Sequence, residues 1–192
     1  ISDVIDAVGV TEASLVGHSQ GCLITMECAA GFPNKIKSLS LMGGAGAIPM
    51  NPELLDLAEK GDVKAVDLMM DWAHGPAGHF GGHSVPGLHH INIGGTIIHN
   101  GSVKDALGID FRACDNYKNG FEAAKKVQCP TINILGNEDR MCPVKEGKKL
   151  ADCITGSQVE IIPNCGHMIL LEEADQALAI LKKFITTNHP GN

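Results

Sequence analysis

The chain has 192 residues, enough for one domain with a substantial buried core. Hydrophobic residues make up 44% of it, a proportion typical of a globular protein. The 15 Lys and Arg residues against 22 Asp and Glu residues give a net charge of −7, which argues against a general binder of the nucleic-acid phosphate backbone. Aromatic residues amount to 4%, too few for a platform on which bases stack. We therefore expect no nucleic-acid partner.

The cysteines are odd in number and none stands in a C-x-x-C pair, so neither a disulfide framework nor a zinc knuckle is predicted. They are Cys22, Cys28, Cys114, Cys129, Cys142, Cys153 and Cys165. We interpret them as reduced residues of a cytoplasmic protein, several of them small core hydrophobes. No apolar run approaches the ~18 residues that span a membrane, and no secretory signal opens the chain. A membrane partner is therefore not expected.

The chain opens within a helical pattern. Ile1, Val4, Ile5 and Val8 recur at helical spacing, and Gly9 is a typical helix stop. These residues indicate the end of a helix that is already under way. We therefore expect the chain to be incomplete at its N-terminal side.

Predicted strands and helices alternate along the rest of the chain. Apolar runs predict strands at residues 13–16, 36–42, 131–135 and 159–162. Helix formers without breakers predict helices at residues 20–30, 52–60, 63–72, 143–154 and 172–186, with an interrupted helix over 103–124. This alternation indicates an α/β fold with a mostly parallel sheet.

The composition changes twice along the chain. Residues 1–48 and 127–192 carry the strand–helix alternation, whereas residues 49–126 are mainly helical and rich in glycine and histidine from 74 to 101. We interpret the outer segments as two parts of one sheet domain and the middle segment as a helical cap inserted between them. The glycine-rich stretch 75–95 is either a lid that moves over a site or an ordinary connection.

The pentapeptide Gly17-His18-Ser19-Gln20-Gly21 matches the G-x-S-x-G pattern and lies between a predicted strand and a predicted helix. In this setting the turn is so tight that flanking side chains would clash, which accounts for a glycine on each side. The serine hydroxyl is then exposed, facing the N-terminus of the following helix. The alternative is a chance match in a chain with 23 glycines.

Such a serine needs a base, and the base needs a carboxylate that orients it. Asp139 follows the strand predicted at 131–135, and His167 follows the strand predicted at 159–162. Each residue also has an ordinary interpretation, Asp139 as a turn or helix-cap residue and His167 as a loop histidine. Glu138 competes with Asp139, but its side chain is expected to point elsewhere. The order Ser, Asp, His, each after its own strand, favours catalysis.

With these motifs the chain resembles the α/β-hydrolase fold superfamily, in its cap-bearing branch. The resemblance implies that Ser19 is the nucleophile, Asp139 the acid and His167 the base, with the backbone amide of Gln20 in the oxyanion hole. In the family a second amide comes from a loop after an early strand, which has no counterpart in this sequence. The resemblance therefore implies a sheet that lacks its N-terminal strands, with an unpaired edge along residues 13–16.

Six histidines occur in the predicted cap: His74, His79, His83, His89, His90 and His99. Spaced histidines can bind a metal ion. None of them forms an H-E-x-x-H pattern, however, and their setting is rich in glycine. We therefore expect neither a metal site nor any other cofactor.

Three further residues are predicted to contact a substrate: His18, Trp72 and Met168. Trp72 is equally compatible with the core of the cap, and for Met168 a core position is favoured. His18 is not expected to act as the base, because side chains flanking the elbow point away from the nucleophile. Cys22, in the first turn after Ser19, is expected to be buried behind the elbow.

The combined expectation is a serine hydrolase that cleaves an ester or a related carbonyl bond of a small, apolar molecule through an acyl-enzyme. Two alternatives remain open on the residues alone. One is a non-catalytic receptor or binding protein of the same fold that senses a small molecule. The other is a fragment that is inactive because its sheet and oxyanion hole are incomplete.

Overall fold

A computed structural model of the protein describes residues 1–79, 90–101 and 105–188. Its four strands form one parallel sheet in the order β1-β2-β3-β4. The strands are β1 (Ala13–His18), β2 (Ile36–Met42), β3 (Thr131–Gly136) and β4 (Gln158–Ile162). The predicted parallel α/β arrangement is therefore confirmed, and each predicted strand is present with ends shifted by at most two residues.

The helices occupy the positions expected from the sequence, with additions in the middle segment. Those of the outer segments are α1 (Ser2–Ala7), α2 (Gln20–Gly31), α9 (Val144–Asp152), α10 (Ile169–Glu172) and α11 (Ala174–Asn188). Those of the middle segment are α3 (Pro52–Glu59), α4 (Lys64–Ala73), α5 (Pro76–His79), α6 (His90–Gly101), α7 (Ala106–Asn116) and α8 (Gly120–Ala124).

Two differences concern helix boundaries. The glycine- and histidine-rich stretch forms α5 and α6 within its described residues, although its periodicity was too weak to predict a helix. The helix predicted over 172–186 begins two residues later, as α11, because the chain turns at Glu173, where φ is −133° and ψ is 51°, and Glu172 instead ends α10. No helix in the described ranges is both long and apolar enough to cross a membrane.

Helices cover both faces of the sheet. Leu41 and Met42 are consecutive and fully buried, and they contribute to different core clusters, as the alternation of a strand requires. The first cluster joins β2 to α2, α8 and α9, and the second joins β2, β3 and β4 to α11. Burial of both faces explains why every residue of β3 is buried.

β1 lies at one edge of the sheet. Among the described strands it pairs with β2 alone, and Val16 on it is 46% exposed. This agrees with the expected unpaired edge along residues 13–16.

The middle segment has a small core of its own. Leu54, Leu55 and Ala58 of α3 pack with Ala65 of α4 and Phe111 of α7. The first helix begins at a well-formed cap, where the side chain of Asn51 accepts hydrogen bonds from two backbone amides of the first turn. The helix α8 instead packs with α2 and α9 in the core of the sheet domain. The division at residues 49–126 stays a prediction.

Candidate active site

Ser19 is the single residue between the end of β1 and the start of α2. Its φ of 54° is positive, a backbone conformation that residues other than glycine rarely adopt. Its amide donates a hydrogen bond to the carbonyl of Met42 at the end of the neighbouring strand, with an N···O distance of 3.0 Å. Such strain persists where the surrounding structure enforces it, and it commonly marks a functional position.

The two glycines of the pentapeptide differ in the space available for a side chain. A Cβ atom on Gly17 would overlap the carbonyl oxygen of Gly21 and the hydroxyl of Thr25. A Cβ atom on Gly21 would have no atom within 4 Å outside its own helix turn. The steric requirement predicted for Gly17 is therefore confirmed, and the one predicted for Gly21 is wrong, because the space at its Cβ position is open.

Asp139 and His167 form a buried pair. The Nδ1 atom of His167 lies 2.8 Å from Oδ2 of Asp139, and the two side chains are 3% and 1% exposed. The other carboxylate oxygen accepts hydrogen bonds from the backbone amides of Met141, at 2.8 Å, and Cys142, at 2.7 Å. Because a carboxylate only accepts, the proton of the imidazole lies on Nδ1.

The residue after β2, Gly43, lies close to the side chains of Asp139 and His167. Gly43 has a φ of +58°, and a Cβ atom there would lie 3.1 Å from Nδ1 of His167. The sequence predicted Gly43 only as the end of a strand. Its closeness to the imidazole was not foreseen, because it depends on the neighbouring β3–α9 and β4–α10 loops.

The second ring nitrogen of His167, Nε2, is buried and has no hydrogen-bond partner among the described residues. With the proton on Nδ1, this nitrogen is left as an acceptor. Ser19 and His167 both line the same cavity, and Nε2 makes no hydrogen bond to the Ser19 hydroxyl in this structure. The arrangement can accept a proton from a hydroxyl group in the cavity.

His18 contacts the backbone of His167. Its Nε2 atom lies 2.7 Å from the carbonyl oxygen of His167, and the two ring centroids are 4.9 Å apart. Burial lowers the pKa of His18 below its ordinary value of 6.5, and the nearby His167 lowers that pKa further. His18 is therefore favoured as the neutral donor, consistent with the expectation that it is not the base.

The cavity lies between the elbow and the middle helices and has a volume of about 410 Å³. Its polar lining residues are His18, Ser19, Gln20, Asp110 and His167. The rest of the lining is mainly apolar and includes five of the chain's seven methionines, namely Met50, Met69, Met70, Met141 and Met168. Methionine side chains adapt their shape readily, so the lining suits apolar groups of varied outline.

Of the three residues predicted to contact a substrate, His18 and Met168 line the cavity. Gln20, predicted for the oxyanion hole, also lines it, and its side chain donates a hydrogen bond to the carbonyl of Asp110 on α7, at 3.3 Å. Trp72 instead packs against the small core of the middle segment and is not among the cavity-lining residues. From α4, Met69, Met70 and Ala73 line the cavity.

Glu138 and Cys22 lie where the sequence indicated. Glu138 lines a separate pocket, together with His74, His79 and Arg140, so its side chain points away from His167. Cys22 is fully buried, and burial raises the pKa of its thiol to about 12. A thiol with so high a pKa is a poor nucleophile at neutral pH.

Within the described part of the chain, no group of three or more His, Cys, Asp or Glu side chains is arranged to hold a metal ion. Of the predicted cap histidines, His74 is buried with Nδ1 2.9 Å from the carbonyl of Met70, and His79 lies beside Asp71. His83 and His89 lie outside the described residues, as do residues 80–89 of the stretch 75–95, for which a lid or an ordinary connection was expected.

A family model described as the alpha/beta hydrolase family matches residues 1–180. This chain belongs to the alpha/beta hydrolase family. The match covers most of the chain, so the resemblance inferred from the motifs is confirmed.

Curated relatives of this alpha/beta hydrolase include enzymes named for different substrates. A 2-hydroxymuconate semialdehyde hydrolase of Pseudomonas sp. (strain CF600) is 24% identical over 95% of this chain and 65% of its own length. A monoacylglycerol lipase, abhd6-A of Xenopus laevis, is 27% identical over 97% of this chain and 59% of its own length. The chain thus spans less than two thirds of the length of these relatives.

Solved structures give the same picture of the fold. A thermophilic esterase superposes with a TM-score of 0.79 at 26% identity, covering 97% of this chain and 70% of that chain. The alpha/beta hydrolase MGS-M2, from a Medee basin deep-sea metagenome library, superposes with a TM-score of 0.79 at 20% identity, over 96% of this chain and 68% of that chain. At that identity the second likeness concerns the fold alone.

Proposed function

We propose that this alpha/beta hydrolase is a serine hydrolase that cleaves an ester or a related carbonyl bond of a small, apolar molecule. The observation that carries the proposal is the buried hydrogen bond between His167 and Asp139, with Nε2 of His167 unpaired and with His167 and Ser19 lining one cavity. An imidazole that a carboxylate holds at Nδ1 and that keeps Nε2 as an acceptor is the base that a serine nucleophile needs.

In the proposed reaction the Ser19 hydroxyl attacks the carbonyl carbon of the substrate, and its proton passes to Nε2 of His167. Asp139 holds the imidazole in the required tautomer and stabilises the imidazolium. The backbone amide of Gln20, at the N-terminus of α2, donates to the oxyanion. The proton then moves from His167 to the leaving oxygen, and a water molecule, deprotonated by His167, hydrolyses the acyl-enzyme.

The substrate class is inferred from the lining of the cavity. Apolar side chains surround the serine, and they stabilise an apolar acyl group by removing its surface from water. A volume of about 410 Å³ accommodates a molecule of modest size. Relatives named as a monoacylglycerol lipase and an esterase support ester cleavage.

The proposal is tested by incubating the purified chain with a fluorophosphonate, which labels activated serines, and measuring its intact mass. We expect one adduct on the parent chain, none on Ser19→Ala, and labelling slowed by several orders of magnitude on His167→Ala. Ser157→Ala, at the turn before β4, is the matched control and is expected to be labelled like the parent.

A folded parent chain without an adduct, or an adduct that persists in Ser19→Ala, would contradict the proposal. If ester panels show no turnover while an apolar ester raises the melting temperature, the chain is a binding protein rather than an enzyme.

A further inference from the structure

Glu172 is a buried carboxylate that the proposed reaction does not use. It ends α10, five residues after His167, and only 4% of its surface is exposed. Its Oε2 atom accepts hydrogen bonds from the backbone amides of Gly75, at 2.8 Å, and Gly166, at 3.1 Å. Its Oε1 atom accepts one from the amide of Met168, at 3.2 Å.

These three amides belong to two different parts of the chain. Gly166 and Met168 flank His167 on either side, whereas Gly75 lies two residues after the end of α4. One side chain therefore joins the backbone on both sides of His167 to the end of a cap helix.

A second set of contacts makes the same connection. The carbonyl oxygen of Ala73, the last residue of α4, accepts hydrogen bonds from the amides of His167, at 2.7 Å, and Met168, at 3.1 Å. The backbone that carries His167 is thus anchored on the end of α4.

The junction has little room to adjust. A Cβ atom on Gly75 would lie 3.1 Å from both Oε2 of Glu172 and the amide nitrogen of Gly166. A Cβ atom on Gly166 would lie 2.7 Å from the carbonyl carbon of His74 and 2.8 Å from Oε1 of Glu172. At these two glycines the backbone after α4 and the backbone before His167 are in close contact, with no space for a side chain between them. Because the contact is so close, a displacement of the end of α4 displaces the His167 loop with it.

We propose that Glu172 is a positioning residue that couples the cap to the base, so that the cap end and His167 move as one unit. The inference rests on the proposed function of Ser19 and His167 and adds a means by which the cap controls that site. Loss of the carboxylate leaves the buried amides of Gly75 and Gly166 without an acceptor. The His167 loop shifts to restore hydrogen bonds to these amides. A shift of about 1 Å in a catalytic group can reduce a rate by about 10²-fold.

The first experiment compares Glu172→Gln with Glu173→Gln, a matched control one residue away. Glu173 is only partly buried, and its side chain bonds that of Gln176. For Glu172→Gln we expect the rate of fluorophosphonate labelling, and kcat for a short ester, to fall by about 10- to 100-fold, with KM within about twofold. A purely structural role would lower the melting temperature but leave kcat per labelled site unchanged.

The second experiment disturbs the junction from the cap side. Gly75→Ala keeps Glu172 but inserts a methyl group against its carboxylate, and we expect labelling to slow by about tenfold. Gly31→Ala, where a Cβ atom has no neighbour within 4 Å, is the control and is expected to label like the parent. Gly75→Ala also tests the coupling if Glu172→Gln does not fold.

A third readout separates this inference from the proposed function. The proton on Nδ1 of His167 gives a low-field NMR signal when its hydrogen bond to Asp139 is intact and protected from water. We expect the signal to broaden or shift in Glu172→Gln and Gly75→Ala, and to persist in both controls, whether or not the parent chain labels. A parent that fails to label contradicts the proposed function, whereas unchanged signals and unchanged labelling in both variants overturn the coupling.

Discussion

His18 and His167 are joined by a hydrogen bond of 2.7 Å between Nε2 of the first and the carbonyl oxygen of the second. Because a carbonyl only accepts, His18 carries its proton on Nε2. The residue before the proposed nucleophile therefore contacts the backbone of the proposed base, and the elbow and the His167 loop are connected directly.

The stability of the protein is expected to depend on the titration of His18. Burial, reinforced by His167, lowers the pKa of His18 in the folded state, while the bond to the His167 carbonyl and the charge of Asp139 partly oppose this shift. Below the ordinary pKa of 6.5 the unfolded chain binds a proton that the folded chain still excludes. This histidine therefore makes stability fall as the pH drops through that range.

The measurement is the melting temperature between about pH 7.5 and pH 5.5. His18→Asn removes the titrating ring and is expected to flatten the acid side of the profile. Equal slopes for the parent and His18→Asn would refute this account.

Asp139→Asn is expected to slow fluorophosphonate labelling and ester turnover by about 10³- to 10⁴-fold, because an amide favours the wrong tautomer of His167. The amides of Met141 and Cys142 can still donate to the remaining carbonyl oxygen, so the fold is expected to persist. Glu138→Gln changes the neighbouring carboxyl, which lies in a separate pocket, and is the matched control. Similar labelling rates for the two variants would exclude Asp139 as the orienting acid.

Substitutions at Gly17 and Gly21, the two glycines of the elbow, are expected to change the free energy of unfolding in opposite directions. Gly17→Ala places a methyl group against the backbone of Gly21, and we expect the free energy of unfolding to fall by about 1–3 kcal/mol. Gly21→Ala meets no neighbour within 4 Å and lies in α2, so we expect a gain of about 0.5–1 kcal/mol. Denaturant titration of both variants checks the signs, and a loss at both positions would show that the turn tolerates neither side chain.

Met168 and Trp72 provide a test of which predicted contacts belong to the cavity. Met168→Ala removes apolar lining beside His167, and we expect KM for a hexanoyl ester to rise by about three- to tenfold, with a smaller change for an acetyl ester. Trp72→Phe is expected to lower the melting temperature by a few degrees and to leave both KM values unchanged, because Trp72 packs in the cap core. A larger change in KM for Trp72→Phe than for Met168→Ala would reverse the assignment.

The sequence predicted the parts of the molecule that local patterns control. Apolar runs marked each strand of the sheet, and the order Ser19, Asp139, His167 placed each proposed catalytic residue after its own strand. Since parallel strands end at the same edge of a sheet, that order was enough to expect them near one another. The catalytic roles of these residues stay predictions until the serine is labelled.

Other parts could not be predicted from local patterns. Nothing near Gly75 in the sequence shows that its amide meets a carboxylate 97 positions later. The one available signal was Glu172 itself, a charged residue directly after the apolar run Ile169-Leu170-Leu171. Such a residue is buried only where the fold supplies donors for it.

The sequence by itself determined the fold class, the positions of the strands and the identity of the proposed catalytic residues. These features depend on the periodicity of side chains and on short motifs within a few residues. The tertiary structure alone decided that Trp72 lies outside the cavity and that Glu172 bonds the amides of both Gly75, after α4, and Gly166, before His167. Those outcomes depend on which helix faces pack together and where backbone amides meet, and neither is encoded in a local pattern.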